Sequence, residues 1–524
     1  MSWISGRAWG AIGLFLLAAA SAATCRGDDR PNVLVILSDD HSAPHLGCYG
    51  NPDVKTPNLD RLAAEGKRFD RAYVACPQCV PSRAAIMTGR SPVAIDMTRF
   101  TAPLGREIPI FPEILKKTGY FSGVAGRTYH LDGARNSPAS QAVFDEHKLA
   151  TFADRLDYVK VGNTMEQSVA QFVEFLDAVP EGKPFCLQLC FNDPHRPLNT
   201  KPAQPLDPAK ITLPAHFPDT PLVRETFAAY LDEIAHVDIG IGQVLDELKK
   251  RDLSGRTIVV FMGDNGCSQL RGKGTLNEFG VHVPLLVRWP GIVAAASEAK
   301  ELISGEDIAP TLLDVAGVEI PKEMTGRSFL PLLKGGDYEP RKYVFAERGA
   351  HGGALPTNSA NFDLGRAIIG PRYKLIYTAT WQIPYIPVDC LNEPFWKDLA
   401  ERHQKGELPA PFDKLYFAPT RPMFELYDLE KDPAELTNLA GQPEVAEVEK
   451  ELKFKLQEWM ILQRDFLPLP VPPAQGQRQR RGQRQGNGAR RRANQPRQQP
   501  ASTPAAEQAP AGENTPAPVE KPEA

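Results

Sequence analysis

Residues 32–40 read NVLVILSDD and residues 257–265 read TIVVFMGDN. Each is a short run, apolar at successive positions, that stops at two oxygen-bearing side chains: Asp39 and Asp40 in the first, Asp264 and Asn265 in the second. A strand with one wet face alternates, whereas a strand apolar on both faces suits the middle of a largely parallel sheet with helices on either side. The chain around these runs keeps that order. TPNLDRLAAEGKRF reads as a helix, FCLQLCFNDPH as a strand, RETFAAYLDEIAHVDIGIGQVLDELKKR as a long helix and VPLLVRWPG as a further strand. The alternation predicts an α/β domain over residues 30–336. Beyond it RKYVFAE, GRAIIG, YKLIYTATW and FELYDLE read as strands and EVEKELKFKLQEWMILQR as a helix, the order of a smaller α+β domain over residues 337–465.

With 524 residues, 42% of them hydrophobic and 24% charged, the chain is long enough for a large core and is not fibrous. Residues 1–24 place Arg7 before an apolar run from Ala8 to Ala20 that ends in small residues, the pattern of a secretory signal peptide, so export is expected. That run is shorter than the roughly 20 residues of a membrane span, and no later run approaches that length. Eight cysteines do not make a disulfide scaffold in a chain of this size, although an exported protein can carry a bridge or two. Residues 466–524 hold nine Lys and Arg against four Asp and Glu, leaving 51 against 60 in the remainder, so a tail of +5 follows a body of −9. The tail is Pro, Gln, Arg, Gly and Ala without apolar periodicity and is expected to be disordered. Its arginines read as a solvated segment, not as a specific nucleic-acid module.

Ligands in open α/β sheets bind beyond the carboxyl ends of the strands, so Asp39, Asp40, Asp264 and Asn265 can converge. Three carboxylates repel one another unless a cation sits among them, and oxygen ligands select a hard ion such as Ca²⁺ or Mg²⁺. Either pair alone is equally well a helix cap or a turn. Some forty residues further on comes CVPSRAAIMTGR, residues 79–90. A thiolate suits a hard cation poorly, which makes Cys79 the odd member of the group. Cys79 also closes CPQC with Cys76, which leaves a redox dithiol or a buried structural cysteine open.

Cys79, Pro81, Ser82, Arg83, Thr88, Gly89 and Arg90 match the Cys-x-Pro-Ser-Arg-x4-Thr-Gly-Arg signature of the type I sulfatases. The resemblance runs in order through RPNVLVILSDD, TPNLDRLAAEGKRF, GDNG, GKGT, DIAPTLLDVAG, GRSFLPLLKG and ELYDLEKDPAELTNLA. It implies an alkaline-phosphatase-like α/β sandwich, with a large mixed, mostly parallel sheet covered by helices, plus the smaller C-terminal α+β domain with an antiparallel sheet. It also implies that a maturation enzyme oxidises Cys79 to formylglycine, whose hydrate puts oxygen where sulfur fits badly. By the same resemblance Asp39, Asp40, Asp264, Asn265 and the modified Cys79 ligate Ca²⁺, with Mg²⁺ as second choice, and Arg83 holds the formylglycine hydroxyls. Lys273 binds the sulfate, His195 lies near the ester oxygen, and His130 matches the histidine that follows a Gly-Lys pair. Arg127 replaces the lysine of that pair, keeping the charge as a planar fork that cannot shuttle a proton. NEFGVH replaces the usual YEGGxR, so Asn277, Phe279 and His282 are expected to alter substrate contacts.

The activity so implied is hydrolysis of sulfate esters or sulfamates of sulfated carbohydrates by an exported enzyme, periplasmic or secreted, or in a lysosome-like compartment in a eukaryote. YKLIYTATWQIPYIPVDCLNEPFWKDL and DPHRP resemble the N-sulfoglucosamine sulfohydrolases. They point to exo-type action on sulfated glucosamine or a related glycosaminoglycan residue, N-sulfate first and O-sulfate second. Trp381, Tyr385 and Trp396, with Lys374 and Arg372 beside them, either hold a sugar or pack the smaller domain. Three other readings stay open: an O-sulfatase for another polysaccharide, a metal-dependent phosphoesterase with unmodified Cys79, and an inactive glycan-binding protein that uses the Arg-rich tail. His41 and His45 either line the mouth of the site or reflect loop polarity, whereas Cys186 and Cys190, on one face of a strand, read as core.

Overall fold

The computed structural model describes residues 30–98, 104–128, 142, 146, 155–351 and 362–469. The signal-like segment, His130 and the Arg-rich stretch after Leu469 lie outside the described residues. In chain order the strands are β1 (Asn32–Ser38), β2 (Lys67–Phe69), β3 (Ala72–Tyr73), β4 (Phe121–Gly126), β5 (Tyr158–Val159), β6 (Phe185–Cys190) and β7 (Thr257–Gly263). They continue with β8 (Leu285–Arg288), β9 (Ser297–Ala299), β10 (Ile303–Ser304), β11 (Val344–Ala350), β12 (Phe362–Ile369), β13 (Tyr373–Thr378) and β14 (Phe424–Asp428). The large sheet has the order β5-β4-β6-β1-β7-β8-β2-β9. From β5 to β7 every neighbour is parallel, and β8 runs antiparallel to both β7 and β2.

The unbroken apolar runs have the cause expected of them. Val33, Val35 and Leu37 of β1, with Ile258, Val260 and Met262 of β7, face one core. Their neighbours Leu34, Ile36, Val259 and Phe261 face another. Helices α1 (Pro57–Ala64), α2 (Cys79–Thr88), α3 (Phe111–Lys117), α4 (Met165–Ala178) and α5 (Pro221–Lys250) divide between the two. Val80, Met87, Phe111 and Leu115, from α2 and α3, cover the first face; Leu59, Phe172, Phe227 and Leu248, from α1, α4 and α5, cover the second. The hydroxyls of Thr164 and Thr220 accept from Gln167 N and Val223 N and so start α4 and α5.

Two segments depart from the sequence reading. The end of TPNLDRLAAEGKRF is strand β2: the helix ends at Ala64, and at Gly66, where a Cβ would lie 2.3 Å from the Val287 carbonyl oxygen, the chain passes against β8. FSGVAG, whose glycines dilute its apolar signal, is strand β4. The second sheet, β11-β12-β13-β14, is antiparallel. Helix Ala446–Leu462 lays Leu452, Leu456, Trp459 and Met460 on its Ile368, Leu375 and Leu426. The Tyr377 hydroxyl donates to the Pro468 carbonyl at 2.8 Å, tying down the chain that follows. All seven described cysteines are free thiols, and Cys186 and Cys190 belong to one core. Among the described residues no helix is long and apolar enough to cross a membrane.

His41 and His45 are buried and line no mouth. His45 sits edge-on to Phe227, Tyr230 and Phe279, and neither ring nitrogen has a hydrogen-bond partner. Burial lowers its pKa to about 3, so the folded state holds it neutral. Its contribution is complete above the unfolded value and is lost as pH falls through that value toward the folded one. His45→Phe should therefore gain on the parent by ~2 kcal/mol between pH 6.5 and pH 4.5 in paired denaturant titrations. An unchanged difference would show that the ring is solvated. The comparison is needed because Glu347, raised by burial to about 8, titrates in the opposite sense.

Candidate active site

Strands β4, β6, β1 and β7 are adjacent and parallel, and their ends are level: Gly126 pairs with Cys190, Cys190 with Leu37, and Ser38 with Gly263. The residues that follow emerge along one edge: Arg127 after β4, Asn192 to His195 after β6, Asp39 and Asp40 after β1, and Asp264 and Asn265 after β7. This is the carboxyl edge where α/β sheets hold ligands. Gly126 (φ 80°) has no substitute here, since a Cβ would lie 1.9 Å from the Cys190 carbonyl oxygen.

Helix α2 points its first turn at that edge. Cys79 is its first residue, and Arg83, one turn on, shares its face. The Cys79 Sγ lies 3.3 Å from Asp39 Oδ1 and 3.9 Å from Asp40 Oδ1. Arg83 is fully buried; its Nε donates to Asp264 Oδ2 at 2.7 Å, and its terminal nitrogens donate to Asp39 Oδ2 and to the Arg127 carbonyl, each at 3.1 Å. The Arg127 Nε lies 2.5 Å from Asp39 Oδ2, and its guanidinium also reaches Asn192 Oδ1. Lys273 Nζ meets Asp40 Oδ1 at 2.9 Å and Asp389 Oδ2 at 2.8 Å. His195 Nε2 faces Asp40 and Asp389 at 3.8 Å each, while its Nδ1 lies 2.5 Å from the Arg196 carbonyl oxygen. Asp40 is held in the left-handed region (φ 65°) by the Tyr230 hydroxyl on its carbonyl and by Asp264 Oδ1 on its N–H.

Charge sorts these groups. Burial raises Asp40 and Asp264 to about 6. Burial would do the same to Asp39, but Arg127, His195, Arg83 and Lys273 together hold it well below the usual range. Burial, then the charge of Asp39, pushes the Cys79 thiol up, and burial, then Lys273, lowers His195 to about 4. Asp389 stays low despite burial because Lys273 and His351 face it.

Nine of the residues singled out in the sequence are thus neighbours, and His130 lies outside the described residues. Asp389 was not legible. It sits in an aperiodic Pro-rich loop, in the left-handed region (φ 62°), and reaches the site only because that loop folds back onto Lys273. His282 stacks on Tyr73 and bonds the Asp70 carbonyl, away from the site. Trp396 packs on Phe417, and Lys374 pairs with Glu278 and Glu435, so core packing explains both.

A protein-family model described as Sulfatase matches residues 31–318. The chain belongs to the sulfatase family. It is a sulfuric ester hydrolase, and a second model, described as N-sulphoglucosamine sulphohydrolase, C-terminal, matches residues 269–380. This sulfatase is 28% identical over 447 residues to an ulvan-active sulfatase of Formosa agariphila, covering 84% of this chain and 82% of the relative. It is 27% identical over 475 residues to the N-sulphoglucosamine sulphohydrolase of Homo sapiens, covering 83% and 90%. Its fold, alkaline-phosphatase-like, is shared with a solved structure described as being in complex with its substrate D-glucosamine-2-N,6-O-disulfate. That match has a TM-score of 0.62 and 20% identity, and covers 84% of this chain and all of the other.

The sulfatase's acidic cluster fits a cation. One ligand atom each from Asp39, Asp40, Cys79 and Asp264 lies within 4.8 Å of all the others. The Asn265 Nδ2 donates to Asp40 Oδ1 and to the Gly266 carbonyl, which leaves Oδ1 buried without a hydrogen-bond partner. A buried bare acceptor beside three carboxylates is what a hard cation completes. Asp39, Asp40, Asp264 and Asp389 against Arg83, Arg127 and Lys273 leave one negative charge in excess. A divalent ion would turn that into one positive charge, the complement of a sulfate monoester.

Proposed function

We propose that this sulfatase is exported and removes sulfate, exo-fashion, from sulfated glucosamine or a related glycosaminoglycan residue, N-sulfate first and O-sulfate second. It uses a formylglycine made from Cys79 by a maturation enzyme, and Ca²⁺, with Mg²⁺ as second choice. The observation that carries the chemistry is the position of the Cys79 sulfur, 3.3 Å from Asp39 Oδ1 within a cluster of oxygen ligands. Sulfur is the wrong donor for a hard ion, and an oxygen at residue 79 removes the mismatch. The substrate rests on the likeness of residues 269–380 to the C-terminal part of N-sulphoglucosamine sulphohydrolase and on the human relative of that name.

Bound together, the formylglycine hydrate supplies an oxygen nucleophile and the cation neutralises charge on the sulfuryl oxygens. Asp39, Asp40, Asp264 and Asn265 hold the ion. Arg83, clamped by Asp264 and Asp39, fixes the hydroxyls of residue 79. Lys273 and Arg127 stabilise charge that grows on the sulfate oxygens. Because the Arg196 carbonyl only accepts, the His195 proton sits on Nδ1 and Nε2 offers a lone pair to the site. The proton for the departing oxygen or nitrogen therefore comes from the Lys273 ammonium, and His195 orients that group. His130 is assigned the return step that frees sulfate.

Peptide mass spectrometry of protein produced with a maturation enzyme should show residue 79 as formylglycine, and metal analysis should find one calcium per chain. Full activity with intact Cys79, or after exhaustive chelation, would end this mechanism. The matured enzyme should release sulfate from N-sulfoglucosamine ahead of 6-O-sulfoglucosamine, sulfated uronic acid and sulfated galactose. A preference for galactose would reject the substrate and leave the sulfatase chemistry standing.

A further inference from the structure

A cavity of about 610 Å³ is walled by the loop that carries Lys273, by the second sheet and by residues between Pro411 and Tyr427. Its walls include Arg271, Arg348, Lys414 and Arg421 but only two carboxylates, Asp363 and Glu425. None of the residues assigned to the reaction lines it.

The pairing inside it is unbalanced. Asp363 serves two guanidiniums at once, those of Arg348 and Arg421, each at 2.7 Å. The Nε of Arg348, a side chain only 6% exposed, has no hydrogen-bond partner. Arg271 is buried and donates to the Glu435 carbonyl at 2.7 Å and the Tyr427 hydroxyl at 3.4 Å, while the Glu435 and Glu425 carboxylates attract it without a direct bond. No ion pair forms at Arg271 or at the exposed Lys414 among the described residues. One carboxylate shared by two guanidiniums leaves buried donors such as Arg348 Nε unmet, and a planar fork is the group best shaped to receive a carboxylate or sulfate. Tyr385 and Tyr427 add aromatic walls, and the volume suits one or two sugar rings.

We propose that this cavity is a second, non-catalytic site for an anionic saccharide, one whose ring carries a carboxylate or a sulfate, held by Arg271, Arg348, Lys414 and Arg421. The sugar in this ligand rests on the substrate reading above; the preference for an anion does not. The site adjoins the catalytic loop directly. Arg271 and Thr275, on its wall, flank Lys273, and the Arg271 N–H donates to the Tyr385 hydroxyl at 2.9 Å. An occupant is thus felt at Lys273, and longer sulfated chains gain affinity that a small aryl sulfate cannot.

The test is hydrogen–deuterium exchange of the full chain carrying Cys79→Ala, titrated with a sulfated heparin-derived disaccharide, with the same disaccharide stripped of sulfate and carboxylate, and with inorganic sulfate. The sulfated disaccharide should protect peptides covering residues 411–427, and Lys414→Glu should weaken that protection about tenfold, the scale of one charged hydrogen bond. In matured enzyme Lys414→Glu should raise KM for a sulfated tetrasaccharide while turnover of a small aryl sulfate is unchanged. Protection confined to peptides bearing Asp39, Asp40 and His195 would overturn the proposal. So would equal protection by the uncharged disaccharide, by inorganic sulfate alone, or in Lys414→Glu. Loss of aryl sulfate turnover in the unsubstituted enzyme would instead count against the catalytic reading.

Discussion

Arg83→Lys is expected to fold and to lose ~10²–10³ in kcat, because an ammonium cannot reproduce a fork that bonds Asp264, Asp39 and the Arg127 carbonyl together. The same fork orients Asp39 and Asp264, the carboxylates proposed to hold the ion, and loss of such support typically costs ~10–100-fold in metal affinity. Calcium titration monitored by activity should therefore shift in the lysine variant. Arg83→Leu removes the charge outright and leaves two carboxylates buried without it, a change of ~3–5 kcal/mol that denaturant unfolding would register. A lysine variant with parental kcat and calcium dependence would show that Arg83 is only a structural residue.

Lys273→Met is expected to lower kcat/KM by ~10³, the upper range for removing one preorganised donor to developing charge. It should also weaken inhibition by inorganic sulfate, since Nζ is the ammonium held between Asp40 and Asp389. If the proton for the leaving group comes from Lys273, the variant should lose least on substrates with acidic leaving groups such as nitrophenol. An equal loss on activated and unactivated sulfates would move that proton to another group.

Much of this was legible because the chemistry is local in the chain. NVLVILSDD and TIVVFMGDN announce their burial by lacking alternation, and their terminal acids fall at the sheet edge because parallel strands end where their register ends. Cys79 and Arg83, four apart, share a helix face wherever that helix lies. The Arg-rich tail and the signal-like start are read from composition and lie outside the described residues.

Other features are set by distance across the fold, which no local pattern encodes. Asp389 is more than a hundred residues from Lys273 and carries no periodic or motif signal, yet tertiary folding makes it an ion-pair partner of that lysine. Tyr385 and Trp396 looked alike as aromatics beside cations. Only packing separates them, one lining the cavity with Arg271 and the other stacked on Phe417. His282 stands where the family pattern has arginine, but its ring stacks on Tyr73 and bonds the Asp70 carbonyl. Sequence alone determined the strand ends and the helix-borne pair, because those follow from backbone geometry and residue type. Which distant charges complete the site, and which stay unpaired around the cavity, was decided by tertiary structure, because Coulomb energy depends on separation in space and burial, not on order along the chain.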